Sequence, residues 1–118
     1  MGKVQSFKDL IIWQKSHQLT LDIYKLTKQF PTDEKFGVIS QIRRAAYSIP
    51  SNIVEGHSRK SAKEFKYFLN ISKGSLSELE YFLILSRDLK YITNAEFKEM
   101  ESKVIEISKI LFSFNKNL

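Results

Sequence analysis

Residues 41–59 read QIRRAAYSIPSNIVEGHSR, and this stretch decides how the rest of the chain is interpreted. Its apolar residues recur at the three- and four-residue spacings of one helix face: Ile42, Ala45, Ala46, Ile49 and Ile53. Polar residues recur on a second face: Gln41, Arg44, Ser48, Asn52, Glu55 and Arg59. The stretch therefore predicts a helix, kinked at Pro50, with one face for packing and one for a contact or for chemistry.

Outward from this stretch, the breaks between periodic segments are few, because the chain has only four glycines and two prolines. The sequence predicts a first helix from Asp9 to Phe30, ended by Pro31, and a second from Thr32 through the fifties. A third helix is expected over residues 62–90 and a fourth over residues 95–115. Short connections favour antiparallel neighbours, so we expect an all-α, up-down-up-down four-helix bundle that forms one domain over residues 1–118.

Two capping boxes give the clearest helix boundaries. Ser61 with Glu64 precedes the third helix, and Thr93 with Glu96 precedes the fourth. The fourth helix also carries a heptad seam of apolar residues: Phe97, Met100, Val104, Ile107, Leu111 and Phe114. This seam predicts nearly parallel or antiparallel packing against a neighbouring helix.

The third helix has more apolar surface than one bundle core needs. One stripe consists of Phe65, Phe68, Leu69, Leu76, Leu79 and Leu83, and a second set consists of Ile71, Phe82, Ile84 and Leu85. Gly74 lies in mid-helix, where glycine costs about 1 kcal/mol relative to alanine, and it fits the close approach of another backbone. Either the bundle is deeply packed here or a second copy covers the surplus, and we favour homo-oligomerisation.

The net charge of +6 favours an anionic partner such as nucleic acid or acidic lipid. Residues 1–31 carry five Lys against two Asp, whereas residues 93–118 carry four Lys against four Glu, so the excess lies in the first three quarters of the chain. The absence of cysteine suits a reducing cytoplasm. We expect a cytoplasmic protein without a membrane segment, since no apolar run approaches the roughly 20 residues of a span and the amino terminus lacks a signal-peptide pattern.

Basic residues before and along the third helix, with two on the second, are the nucleic-acid candidates: Arg43, Arg44, Arg59, Lys60, Lys63, Lys66 and Lys73. Such a surface binds phosphates without reading sequence. The alternative is an ordinary solvated lysine face, partly offset by Glu64.

The polar stripe Ser48, Asn52, Glu55 and Arg59 has two interpretations. It could form a ligand pocket or a docking point. Alternatively, its side chains satisfy backbone groups that Pro50 frees, because the carbonyl of Ala46 loses its helical amide partner. Glu55 and Arg59 at i and i+4 would then form an exposed ion pair worth about 0.2–0.5 kcal/mol.

The sequence contains no catalytic constellation, metal-binding pattern or cofactor motif that we can identify. His17 and His57 are not spaced to place two metal ligands on one helix face. The serines lack an activating base, and there is no GxSxG or Walker-type loop. We therefore expect no enzyme activity, no catalytic residues, no metal and no cofactor.

The segments FKDLIIWQKS and SQIRRAAYSIPSNIVEGHSRKSAKEFKYFLNISKGSLSELE carry a family resemblance. The chain resembles the bacterial four-helix-bundle family that includes the protein encoded in intervening sequences of large-subunit ribosomal RNA genes, sometimes labelled a ribosomal protein. It is also similar, more distantly, to the accessory protein of diversity-generating retroelements. The family pattern falls here on Ser48, Pro50, Asn52, Glu55, Gly56 and Arg59.

The resemblance implies an antiparallel four-helix bundle that assembles into a homopentameric barrel. It also implies association with ribosomal RNA, or with nucleic acid and a reverse transcriptase in the retroelement relatives. The first functional hypothesis is thus a non-enzymatic oligomer that binds nucleic acid, with structured RNA favoured. The second is a scaffold ring or adaptor for a protein partner, and the third is a small-ligand or enzymatic bundle that uses Asn52, Glu55 and Arg59.

Overall fold

The computed structural model describes residues 6–118, and all of its regular elements are helical. The four α-helices are α1 (Ile11–Thr27), α2 (Val38–His57), α3 (Ala62–Asp88) and α4 (Asn94–Lys116), with 3-10 turns at Phe7–Asp9 and Thr32–Glu34. The prediction of an all-α chain with four helices is confirmed. None of the helices described here combines the length and the apolarity that a membrane span requires. Residues 1–5 of the expected domain lie outside the described residues.

One apolar core holds the four helices together. The five residues predicted for the packing face of α2 are all buried, and so is the predicted seam of α4 except for Phe114, which is half-buried. On α3, Leu69, Leu76, Leu79 and Leu83 are buried. Burial of such faces supplies the main favourable term in folding, so the sequence periodicity accounts for the core.

Helix α1 is shorter at both ends than the sequence predicted. It begins at Ile11, because Asp9 belongs to a separate 3-10 turn in which it forms a capping box with Ser6. It ends at Thr27 instead of Phe30. The amides of residues 28–30 bond to carbonyls only three residues back, which is the tightened geometry of a helix end.

Helix α2 begins at Val38, six residues later than the predicted cap at Thr32. The carboxylate of Glu34 accepts a hydrogen bond from the Val38 amide at 3.3 Å and another from the Tyr91 hydroxyl at 2.6 Å. The Tyr91 bond is the main cause that lowers the pKa of Glu34, and the same bond raises the pKa of Tyr91. Glu34 therefore caps α2 from outside the helix and ties it to the turn between α3 and α4.

The predicted capping boxes have different outcomes. At the start of α4 both bonds form, with the Glu96 amide 3.0 Å from Thr93 Oγ1 and the Thr93 amide 2.9 Å from Glu96 Oε1. At the start of α3 only half of the box forms, with the Glu64 amide 3.1 Å from Ser61 Oγ. The Glu64 carboxylate instead accepts the Ser61 hydroxyl at 3.3 Å. The capping box at the start of α4 is therefore confirmed. At the start of α3 the position of the cap at Ser61 is confirmed, but the complete box is not formed.

Polar contacts join α1, and the turn that follows it, to α4. The linked pairs are Lys15 with Glu106 at 3.1 Å, Asp22 with Lys103 at 2.7 Å and Gln29 with Glu96 at 3.2 Å. Gln29 also donates to the carbonyl of Tyr91 at 3.0 Å. Rising residue numbers on α1 therefore meet falling numbers on α4.

The core absorbs most of the second apolar set predicted on α3, since Phe82 and Ile84 pack against it, Leu85 is half-buried and Ile71 is exposed. Tyr67, Ile71 and Tyr81 are exposed, by 63%, 38% and 56% respectively. A Cβ built on Gly74 would meet no atom within 4 Å, so no other part of the described chain approaches this glycine. The close approach predicted for Gly74 is absent within residues 6–118, and α3 presents an open face to its surroundings.

Candidate nucleic-acid interface

Helices α3 and α4 enclose an open groove of about 840 Å³, which we call the α3/α4 groove. It is lined by Lys66, Leu69, Asn70 and Lys73 from α3 and by Ser108, Lys109, Leu111, Phe112, Asn115 and Lys116 from α4. The seven-residue interval from Lys66 to Lys73 equals about two helical turns, as does that from Lys109 to Lys116, so each pair shares one face of its helix. The groove thus has two lysines on each wall.

All the charged side chains that line the α3/α4 groove are positive. No Asp or Glu is among the residues that line it. Within residues 6–118, none of its four ammonium groups forms an ion pair with a carboxylate. A smaller groove of about 280 Å³ continues along the same helices, shares Lys73 and Lys109, and brings in Glu80. The positive potential is therefore concentrated at the end of the groove nearer Lys66 and Lys116.

The structure brings some of the predicted basic residues together and leaves others apart. Lys66 and Lys73 lie in the α3/α4 groove. Lys60 and Lys63 are exposed at the start of α3, and Arg44 is exposed on α2, outside the groove lining. A phosphate backbone in the groove could reach the lysines of α3 without contacting the arginines of α2.

Arg43 is engaged by helix α1. Its Nε donates to Thr27 Oγ1 at 2.8 Å, and its Nη2 donates to the carbonyl of Tyr24 at 3.2 Å. The guanidinium carbon also lies 4.5 Å from the centroid of the Tyr24 ring, a cation–π distance. These contacts tie α2 to the carboxyl end of α1, where a positive charge is favoured by the helix dipole.

Arg59 is likewise engaged by its own surroundings. Its guanidinium pairs with Glu55 at 2.6 Å and lies 4.8 Å from the centroid of the Phe68 ring. The predicted i,i+4 ion pair is therefore confirmed. Both side chains are more than a third exposed, so the pair contributes only about 0.3–0.5 kcal/mol.

The rest of the polar stripe also bonds within α2. Asn52 donates to the carbonyl of Ser48 at 2.8 Å. The Ala46 carbonyl, which loses its amide partner to Pro50, instead accepts the hydroxyl of Thr20 from α1 at 3.1 Å. The interpretation that side chains of the polar stripe serve this carbonyl is therefore wrong, because its donor, Thr20, belongs to another helix.

A second groove lies between α1 and α2 and has about 480 Å³ of space. Its lining is Trp13, His17, Thr20, Leu21, Tyr24, Tyr47, Pro50, Ser51 and Val54. Neither this groove nor the α3/α4 groove includes Asn52, Glu55 or Arg59. These two grooves therefore give no support to the small-ligand hypothesis built on that trio.

Both histidines pack against aromatic rings. The His17 ring stacks on Trp13 with 4.8 Å between centroids and an interplanar angle of 8°, and His57 meets the edge of Phe65 at 6.1 Å. Across residues 6–118, no three His, Cys, Asp or Glu side chains converge in a way that could hold a metal ion.

Sequence reasoning missed Lys109 and Lys116. The count of charges over residues 93–118 gave zero and hid them, because Glu99 pairs with Lys103 while Glu106 pairs with Lys15 of α1. The signal that could have found them is the seven-residue interval, which matches that of the lysines on α3.

Comparison with known proteins places the chain in a family. A family model described as 23S rRNA-intervening sequence protein matches residues 8–113. The chain belongs to this family. The predicted resemblance to the intervening-sequence protein is thereby confirmed, whereas the more distant similarity to retroelement accessory proteins stays a prediction.

A solved structure supports the same assignment. The crystal structure of a protein of unknown function from the S23 ribosomal protein family of Bacteroides thetaiotaomicron has a TM-score of 0.80 and 30% sequence identity to this chain. The match covers 90% of this chain and 99% of that one. No curated protein matches the chain.

Proposed function

We propose that the chain is a non-enzymatic, homo-oligomeric protein of the cytoplasm that associates with nucleic acid, with structured RNA as the favoured ligand. The observation that carries this proposal is the α3/α4 groove, where four lysines face one another without a carboxylate in the lining. The family description, which refers to intervening sequences of 23S ribosomal RNA, favours RNA over DNA as the ligand.

The physical basis is the release of counterions from phosphates. Lys60 and Lys63 are exposed close to Lys66 in the chain, before and in the first turn of α3, and together with the four lysines of the groove they make about six candidate phosphate contacts in each copy. Neutralising six or more phosphates makes affinity fall steeply with salt and leaves it nearly independent of sequence.

Self-association is the second part of the proposal. Tyr67, Ile71, Gly74 and Tyr81 recur on α3 at spacings of four, three and seven, which is the pattern of a heptad seam. All four are exposed in the single chain, and Gly74 leaves room for a second backbone. The falling order of α4 partners along α1 supports an antiparallel up-down-up-down bundle. We propose that such bundles assemble through this seam into a homopentameric barrel, which would repeat the basic surface around a ring.

Fluorescence anisotropy tests the nucleic-acid proposal. Purified protein is titrated into a labelled RNA hairpin and a matched DNA duplex at about 50 and 200 mM salt, and affinity should drop on the order of a thousandfold between these conditions. The double variant Lys63→Glu/Lys66→Glu should weaken binding to all sequences alike.

A matched control separates the effect of the lysines at the start of α3 from the effect of net charge. The double variant Lys25→Glu/Lys98→Glu changes the net charge equally, but both lysines lie outside the α3/α4 groove. The proposal fails if the RNA does not bind at the lower salt, or if the control variant loses as much affinity as the Lys63→Glu/Lys66→Glu variant.

The adaptor function is the alternative, and the α1/α2 groove favours it. Leu21 and Tyr47 line this groove and are about half exposed, a combination typical of protein contacts. An adaptor should retain its partner in a pull-down from a nuclease-treated lysate, whereas a nucleic-acid-binding protein should release it.

A further inference from the structure

Phe112 is the exposed aromatic side chain of the α3/α4 groove. It is 70% exposed, whereas the seam residues of the same helix are buried or, in the case of Phe114, half-buried. Ser108 and Lys109 lie one turn before it on α4, and Asn115 and Lys116 lie one turn after it, and all four also line the groove. Phe112 therefore lies between two lysines, Lys109 and Lys116, whose backbone positions are about 10 Å apart along the helix.

The opposite wall of the groove completes this arrangement. Lys66 and Lys73 lie on α3 with Asn70 between them, and the floor is formed by the core residues Leu69 and Leu111. The groove thus combines one open aromatic face, cations on both sides and the amides of Asn70 and Asn115, which can both donate and accept hydrogen bonds. Its volume of about 840 Å³ lies within the roughly 300–1,000 Å³ of small-molecule sites, so it can hold one or two nucleotide units.

We propose that the α3/α4 groove binds an unpaired strand of RNA, with a base stacked on Phe112 and the flanking phosphates paired with the four lysines. This inference rests on the proposed function and specifies the part of a structured RNA that the groove recognises. In a duplex the base faces are covered by neighbouring bases, so a paired strand could use the lysines and not the ring. An unpaired strand uses both.

An acidic polypeptide is the other ligand class that four lysines could attract. A helix docked in a groove needs several apolar anchors at spacings of three and four residues. The α3/α4 groove offers one exposed apolar side chain in its lysine-lined part, and its remaining exposed lining is polar or cationic. This composition favours a strand with regularly spaced charges and planar bases.

The test compares one labelled oligouridylate of about 20 nucleotides, single-stranded and annealed to its complement, at about 50 mM salt. The key variant is Phe112→Leu, which removes the ring and keeps an apolar side chain. It should weaken binding of the single strand about 5- to 150-fold, the fold-change for loss of one base–aromatic stack. Binding of the duplex should stay within about twofold.

The salt dependence distinguishes the ring from the lysines. Phe112→Leu should leave the slope of log affinity against log salt unchanged, because the ring carries no charge. Lys109→Gln and Lys116→Gln should each reduce that slope by about 0.7. Phe112→Trp should restore affinity, and its indole emission should change when the oligouridylate binds.

Phe36→Ala is the matched control, since Phe36 is 89% exposed, lies 5.6 Å from the Nζ of Lys35 and is outside the groove. An equal loss of single-strand affinity in Phe36→Ala and Phe112→Leu overturns the inference. So does unchanged single-strand affinity in Phe112→Leu, or displacement of the oligouridylate by poly-glutamate at equal concentration. If neither form of the RNA binds at all, the proposed function fails as well; if both forms bind equally, only the inference fails.

Discussion

The hydroxyl of Thr20 replaces a backbone bond that Pro50 cannot make. Thr20 Oγ1 lies 2.8 Å from the carbonyl oxygen of Ser16 and 3.1 Å from that of Ala46, so one hydroxyl proton serves two acceptors. The Ser16 carbonyl is in position to accept the amide of Thr20 itself in the regular pattern of α1. The Ala46 carbonyl has no amide at position 50, so Thr20→Val removes the donor that the structure supplies to it.

The expected cost follows from burial. Thr20 is 8% exposed and Ala46 is fully buried, and valine has nearly the shape of threonine, so the substitution leaves an unsatisfied carbonyl without opening a cavity. Such a group costs about 1–3 kcal/mol. With an unfolding entropy of about 2.1 cal/mol/K per residue, each kcal/mol shifts the Tm of a 118-residue chain by about 4 °C. Thr20→Val should therefore lower Tm by about 4–12 °C.

A double-mutant cycle, with thermal unfolding followed by circular dichroism, measures the coupling between Thr20 and Pro50. Pro50→Ala restores an amide at position 50, so Thr20→Val should cost less in that background, with a coupling free energy of about 1 kcal/mol or more. All four proteins are compared at one concentration, because self-association makes Tm concentration-dependent. Ser86→Ala is the control, since its hydroxyl bonds to the Phe82 carbonyl of its own helix and should show no coupling to Pro50. A coupling below about 0.5 kcal/mol between Thr20 and Pro50 would refute the reasoning.

Four further predictions concern two glycines, the contacts of Arg43 and the pH dependence of stability. Gly56→Ala should destabilise the fold by about 1–3 kcal/mol, because the new Cβ would lie 2.8 Å from a ring carbon of Phe65. Gly74→Ala should raise the Tm of the single chain, because alanine favours a helix and the new Cβ meets no neighbouring atom. If α3 self-associates, the same variant should lower the mass measured by light scattering. Arg43→Gln should lower Tm, because it removes contacts between α2 and α1, and it should leave RNA affinity unchanged in the anisotropy assay. A loss of affinity at unchanged Tm would contradict the conclusion that Arg43 serves to join these two helices. The hydrogen bond from the Thr93 amide is the main cause that lowers the pKa of Glu96. The stability that ionised Glu96 gives to the fold is therefore present above about pH 4.5 and is lost as the pH falls through the pKa of Glu96 in the folded state. Glu96→Gln should flatten the fall of Tm with pH in acid, and an unchanged profile would argue against this role.

Periodic features of the sequence predicted most of the fold. The packing face of α2, the seam of α4 and the cap at Thr93 were all local patterns within one or two helical turns. The start of α2 was wrong because its cap, Glu34, is held by Tyr91, which is 57 residues away in the chain. No local pattern records such a contact.

The candidate site was predicted only on the α3 side. Lys66 and Lys73 stood out as a local cluster, whereas Lys109 and Lys116 become part of the same groove only when α4 packs against α3. Segment charge could not reveal them, since it adds together residues on opposite faces of a helix. The exposure of Phe112 was equally hidden, because aromatic residues at helical spacing are usually in the core.

Gln29 contacts Tyr91 in the turn before α4 and Glu96 in the first turn of α4, and these contacts bear on the order of folding. They join residues 62 and 67 positions apart, whereas the bond from Arg43 to Thr27 spans only 16. Closing the longer loop costs about 1 kcal/mol more in chain entropy, so the α1–α2 hairpin should form first and the Gln29 contacts late. Gln29→Ala should then accelerate unfolding and leave the folding rate nearly unchanged. The side chain of Gln29 would thus contribute to kinetic stability, because it slows unfolding of the folded bundle.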